Sequence, residues 1–309
     1  SSITEHTFSP IVMPEFTKPF DSTWQALTLL LPTFVVLIAF LYYPGLETFR
    51  LSLQQTILLG TQKTFVGLEN YRTLATSAAY HKSFAISVAF AAVVVVGTLA
   101  LSLFVSYLLF QVDVGSSTYL IAAIWPYALP TAVAASVLLF LLHPSLGIIT
   151  HYLELLTGTS LDWFTNGPQA FLIVAVVAIW KQLGYNIIFM VAALNNIPGT
   201  LTESAKLDGV GHLKMLYKVY VPLMSPTLVF LVIMDTIYAF FATFPLVDLM
   251  TSGGPNGATN FLIFKLYRDA FEFSNLGLAS AESVVLFAVV AILMYVQLRI
   301  SEGYAHYGG

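Results

Sequence analysis

The sequence predicts an all-α polytopic membrane protein with six transmembrane helices, and three observations carry that prediction. Of 309 residues, 58% are hydrophobic and only 9% are charged, against roughly a quarter charged in soluble domains. The mean hydropathy is +0.83, so lipid rather than water is the natural solvent for such a surface. Apolar runs of the length that crosses a bilayer core, roughly 20 residues, recur six times. Within a run such as Ala89 to Leu101 the chain is apolar on every side. That suits a helix that satisfies its own backbone bonds, not a barrel strand that alternates.

The spans fall at 24–43, 84–110, 119–142, 170–194, 223–246 and 279–298. Trp24, Tyr42, Tyr43, Tyr107, Tyr119, Trp125 and Tyr295 gather at their ends, as in an interfacial aromatic belt. Residues 1–23 read as a polar tail without the basic stretch and cleavage site of a signal peptide. Residues 24–299 form one membrane domain, and 300–309 a second tail. Segment 44–83 is the longest loop. Segment 143–169 holds a short helix at 146–156 that Gly158 ends. Ser252-Gly253-Gly254-Pro255 marks a turn within 249–278. Pro126 and Pro130 in the third span, and Pro245 in the fifth, remove backbone donors, so kinks are expected there, with gating and packing both open as their purpose.

Several function classes are excluded or weakened. The net charge is −4 and no basic stripe exists to neutralise phosphates, which argues against nucleic acid. No cysteine is present, so disulfides, thiolate nucleophiles and Cys-ligated metals are out. The six histidines are scattered without ligand spacing. Asp113, Glu154, Asp162 and Asp248 are isolated at loop edges, which weakens an integral-membrane enzyme, since a catalytic site needs clustered groups. Neither catalytic residues nor a metal or cofactor site are expected in this chain. A secondary transporter would show symmetric repeats with interrupted helices, and none is evident. Charge does not orient the spans. Lys18, Lys206, Lys214, Lys218 and Arg299 fall on one side, and Arg50, Lys63, Arg72, Lys82, Lys265 and Arg268 on the other.

The loop 195–222 supplies the orientation. It reads Glu203-Ser204-Ala205-Lys206-Leu207-Asp208-Gly209, then nine residues, then Val219-Tyr220-Val221-Pro222. Residues 201–207 predict a short helix that Gly209 ends with a positive φ. Residues 210–219 predict a second, and Pro222 opens the next span where its missing N–H is harmless. This helix-turn-helix resembles the cytoplasmic coupling signature of importer permeases, Glu-Ala-Ala, three residues, Gly, nine residues, Ile-x-Leu-Pro. Ser204, Val219 and Val221 depart from it by modest changes in size. The resemblance implies that Glu203, Ser204, Ala205, Asp208, Gly209 and Pro222 form the surface that docks on an ATPase subunit. It also implies that both termini are cytoplasmic and that 44–83, 143–169 and 249–278 face outward. No Gly-x-x-x-x-Gly-Lys-Ser/Thr phosphate cradle occurs, so ATP and Mg are expected on a partner ATPase.

From Phe34 to Arg299 the chain resembles the sugar-type permeases of the maltose-transporter class. Tyr43-Pro44 and Phe65-Val66-Gly67-Leu68-Glu69-Asn70-Tyr71 carry the likeness early. Trp180-Lys181-Gln182 with Tyr185-Asn186, the run Tyr238 to Pro245 through Ser252-Gly253-Gly254-Pro255, and His143-Pro144 with Gly147 to Thr150 are similar to the permeases of glycerol-3-phosphate importers. A mono- or disaccharide is the alternative solute. The resemblance implies an inner-membrane heterodimer with a second six-span permease, two ATPases and an extracytoplasmic solute-binding protein.

Inside the spans Lys181 and Asp235 are charges at similar depth, where insertion of a lysine costs roughly 2.5–3.5 kcal/mol. They are expected to pair with each other or to line the pathway. Lys181 could attract an anionic headgroup or serve as a structural partner, and the structural role is preferred because permeases for neutral sugars also often carry lysine there. Tyr127, Tyr185, Asn186, Tyr238, Phe241 and Thr243 are candidate pathway residues, since aromatic faces with a few hydrogen-bonding groups suit a polyol. Helix packing would use the same residues.

Overall fold

With no water to bond its amides, an apolar run closes its hydrogen bonds internally, and the predicted spans fold accordingly. The computed structural model describes residues 23–57, 62–112, 114–201, 203 and 211–302. Among these, five continuous helices are long and apolar enough to cross a membrane, and a bent pair makes a sixth if counted as one span. The chain divides into two units, Ser1–Thr48 and Phe49–Gly309.

The first unit contains α1 (Thr23–Leu37), a π-helical turn (Ile38–Tyr42) and the start of α2 (Tyr43–Ser52). The predicted end of the first span at residue 43 is corrected, because the chain stays helical through Ser52. Pro44 does not stop it. The preceding turn is already wider, with Tyr43 N–H donating to the Ile38 carbonyl, and a proline at the start of a helical segment gives up a donor that segment does not need.

In the second unit, the long loop holds a hairpin that the sequence reading did not anticipate. Strands β1 (Gln54–Ile57) and β2 (Gln62–Phe65) pair antiparallel with Gln54 opposite Phe65. Helix α3 (Glu69–Thr76) follows. Asn70 Nδ2 donates to the carbonyls of Ser52 at 2.8 Å and Gln54 at 3.0 Å, which ties the hairpin to α3.

Helix α4 (Ala78–Phe110) is the second span, capped by Ser77, whose side chain accepts from Tyr80 N–H. The third span is not one helix. Helix α5 (Ser116–Ala128) and α6 (Thr131–Leu141) meet at 97°, since Leu129 and Pro130 are extended at the break and Pro130 has no N–H to continue the ladder. Helix α7 (Ile148–Thr157) ends at Gly158 with φ +68°, as expected. Trp163 is buried, and its indole N–H donates to the Leu142 carbonyl at 2.7 Å. The fourth span is α8 (Gly167–Asn195), capped by Asn166. Next come α9 (His212–Met215), a π-turn (Leu216–Tyr220) and α10 (Val221–Leu223). The fifth span runs through α11 (Ser225–Ile237), a π-turn (Tyr238–Ala242) and α12 (Phe244–Met250). Helix α13 (Leu262–Tyr267) and a π-turn (Arg268–Glu272) lead to the sixth span, α14 (Leu276–Glu302).

The core is built on α4 against α8. The buried face of α4 is rich in small side chains, including Ser83, Ser87, Ala91, Thr98, Ser102 and Ser106. Small residues let helices approach closely where lipid offers no hydrophobic drive. At Gly97 an added Cβ would lie 2.5 Å from Ile179 Cδ1. Ser87 Oγ accepts from Leu262 N–H at 2.8 Å, so the same face holds the start of α13. A second apolar cluster joins Tyr107, Met190 and Leu194 to Met215, Tyr220, Met224 and Leu231.

Candidate functional site

Of the predicted pathway residues, α8 carries Lys181, Tyr185 and Asn186. Lys181 is 5% exposed. Its Nζ donates to the main-chain carbonyl of Tyr127 at 3.0 Å and lies 5.1 Å from the centroid of the Tyr127 ring. The Tyr127 and Tyr185 rings are 5.5 Å apart, Tyr185 continues to Phe189 at 4.9 Å, and Phe189 to Phe230 at 5.1 Å. Tyr127 and Phe241 are exposed on the surface of the chain. Tyr238 is buried, and its hydroxyl donates to the Ala178 carbonyl at 3.1 Å. Thr243 is buried with its hydroxyl on the Ala239 carbonyl.

The expected pairing of Lys181 with Asp235 does not form. Asp235 is fully buried and takes two amide donors instead, Gln182 Nε2 at 3.0 Å and Asn186 Nδ2 at 2.6 Å. The reason is helical phase. Successive residues point about 100° apart around a helix, so Lys181 faces α5 while Gln182 and Asn186, one turn apart, face α11. Depth along the span matched, but direction around it did not. Gln182, part of the Trp180-Lys181-Gln182 run, thus joins Asn186 as a partner of Asp235, a role that its place in the sequence does not signal.

A second group of buried charges was missed. Lys265 on α13 pairs with Asp269 one turn on, and with Glu282 of α14 at 2.9 Å. Glu282 is 2% exposed. Burial alone would lower the pKa of Lys265, but the carboxylates of Asp269 and Glu282 outweigh it and hold it above the ordinary lysine value. A signal was present, because Glu282 is the one charged residue in the predicted span 279–298, and an intramembrane charge demands a partner. That partner sits in a segment that reads as loop.

Of the predicted coupling residues, Glu203 is exposed and Pro222 lies in the first turn of α10. Ser204, Ala205, Asp208 and Gly209 lie outside the described residues. The segment after them is anchored to α4, with Tyr220 packed 5.9 Å from Tyr107 and 5.7 Å from Phe110. Among the described residues no group of three or more His, Asp or Glu is placed to hold a metal.

Helix α8 thus carries buried polar groups and packs against the broken third span. Residues 109–302 match the family described as binding-protein-dependent transport system inner membrane component. The chain belongs to that family. It is a multi-pass permease component of an ABC importer. Its relatives include the sn-glycerol-3-phosphate transport system permease protein UgpA of Salmonella choleraesuis, 38% identical over 297 residues, covering 96% of this chain and 100% of that protein. UgpA of Escherichia coli is 38% identical over 290 residues, with 93% and 97% covered. UgpA of Pectobacterium atrosepticum is 36% identical over 288 residues, with 93% and 97% covered. The fold is that of a bacterial ABC transporter involved in the import of the acidic polysaccharide alginate, with TM-score 0.78 at 18% identity, over 90% of this chain and 95% of that one. The alginate transporter in complex with an alginate pentasaccharide-bound periplasmic protein superposes at TM-score 0.79, also at 18% identity, over 93% and 96%. The all-α polytopic fold and the importer class expected from the sequence therefore stand.

Proposed function

We propose that this permease forms half of the translocation pathway for sn-glycerol-3-phosphate. The observation that carries the reading is likeness along nearly the whole chain, 38% over 96% of it, to permeases named for that solute. A second homologous permease supplies the other half. Two ATPase subunits bind ATP and Mg and dock on loop 195–222, and an extracytoplasmic binding protein delivers the solute. Both termini and that loop are cytoplasmic, and residues 44–83, 143–169 and 249–278 face outward. The aromatic run through Tyr127, Tyr185 and Phe189 lines the path beside the second permease, presenting ring faces and hydroxyls to a polyol.

The test is copurification of the complex from native membranes, followed by ATPase assay in proteoliposomes. Glycerol-3-phosphate-loaded binding protein is expected to raise the rate. Stimulation by a mono- or disaccharide alone would replace the solute while leaving the importer intact.

A further inference from the structure

The third span stops at a break, and one face of α8 is shaped to hold the stump. Leu129 and Pro130 have ψ of 138° each, and α6 leaves α5 at 97°. A helix cut there leaves its last carbonyls without helical donors, and an unbonded carbonyl is costly in an apolar setting. Lys181 answers that need at the Tyr127 carbonyl, 3.0 Å from its Nζ. A cation is the favoured charge at a helix C-terminus, and the Tyr127 ring beneath the ammonium adds a cation–π contact.

Neighbouring positions of α8 press on the same turn of α5. An added Cβ at Gly184 would lie 2.7 Å from the Ile124 carbonyl oxygen and 2.8 Å from Tyr127 Cβ, so the missing side chain sets the separation of the helices. Trp180 meets Trp125 edge-on at 5.9 Å. Trp180 and Gly184 are one turn apart on α8, and Lys181 lies about 100° round from Trp180, so the three share the sector that meets α5. Among the described residues no carboxylate pairs with Lys181, so its charge is balanced by the carbonyl end of α5 and a ring face.

We propose that Lys181 is a positioning residue that caps the broken end of α5 and fixes the bend of the third span, and does not contact the solute. The proposal rests on the permease reading but not on which solute is carried. A bend fixed this way holds the Tyr127 ring at the pathway surface, and losing the cap lets both wander.

The test uses the full importer in proteoliposomes with its binding protein. The chain has no cysteine, so with cysteine-free partner subunits Ile121→Cys on α5 and Val137→Cys on α6, both exposed, take a clean pair of spin labels. Lys181→Met is expected to broaden the label distance and to lower the maximal transport rate about tenfold, with KM unchanged. Lys181→Arg is expected to restore the distance and most of the rate, with Lys181→Gln between. A raised KM at unchanged rate and distance would show that Lys181 touches the solute and would overturn the proposal, as would wild-type behaviour of Lys181→Met. If Lys181→Met does not assemble, Lys181→Gln and Gly184→Ala carry the test, and an unchanged distance in both sinks it. The label distance is read without transport, so a wild-type complex that moves no solute refutes the permease reading while the cap is still judged.

Discussion

Lys265 and Lys181 are both largely withdrawn from solvent, yet Lys265 sits between two carboxylates and Lys181 meets a carbonyl and a ring. Asp235, fully buried between them in sequence, is served by two neutral amides. The region around α13 and α14 therefore balances charge with charge, and the region around α8 balances charge with dipoles. Charge pairs hold tightly and fail abruptly when one member is removed. Dipoles are weaker singly, and they let a helix end shift by small steps without stranding an ion. An importer that must move its pathway and keep its frame has reason to use both.

The largest expected effect breaks the first region. Lys265→Met leaves Asp269 and Glu282 facing each other without a cation, and a buried pair broken on one side typically loses about 3–5 kcal/mol. A thermal melt of the purified complex should show the loss, and Asp269→Asn with Glu282→Gln in the same chain should recover most of it. No recovery would mean that packing, not charge, holds α13 on α14. Asp235→Ala comes next. It removes the acceptor of Gln182 and Asn186, and buried donors left unpaired cost about 1–3 kcal/mol each. If its melt matches wild type, the amide cradle carries no stability.

Gly184→Ala should cost about 1–3 kcal/mol by overpacking α8 on α5, seen as a lowered melting point; an unchanged one would mean that the two helices part without cost. The smallest effect is Ser87→Ala, which strands the Leu262 N–H and should cost about 1 kcal/mol; the readout is faster exchange of that amide. Acidity sharpens the contrast. The Lys265 pKa is raised above 10.5, so its contribution is fully present below that value and is lost as pH rises through the higher folded value. Wild type should therefore lose stability in strong alkali, and Lys265→Arg should lose less, since guanidinium stays charged. Equal losses would remove Lys265 from the account.

How much of this was legible follows from what a linear sequence encodes. Depth in the bilayer is a matter of counting, so the apolar runs and the charges inside them could be read. Direction around a helix is set by neighbours, so the sequence places Lys181 and Asp235 at one level but does not tell whether they meet. The break at Pro130 was visible as a missing donor, but not the 97° angle, which depends on two extended residues. The hairpin 54–65 is short and polar, and it offers little of the alternation by which strands are recognised. The signature expected to couple to an ATPase stands out in the sequence because fixed spacing of Glu203, Gly209 and Pro222 is information carried by the chain itself.

The chain holds four tryptophans, and two of them, Trp125 and Trp180, touch across the α5–α8 contact. Indole emission responds to its immediate neighbours, and this pair straddles the turn that ends at the break. Movement of that turn changes an optical signal native to the protein, so its working cycle can be followed by fluorescence without a dye.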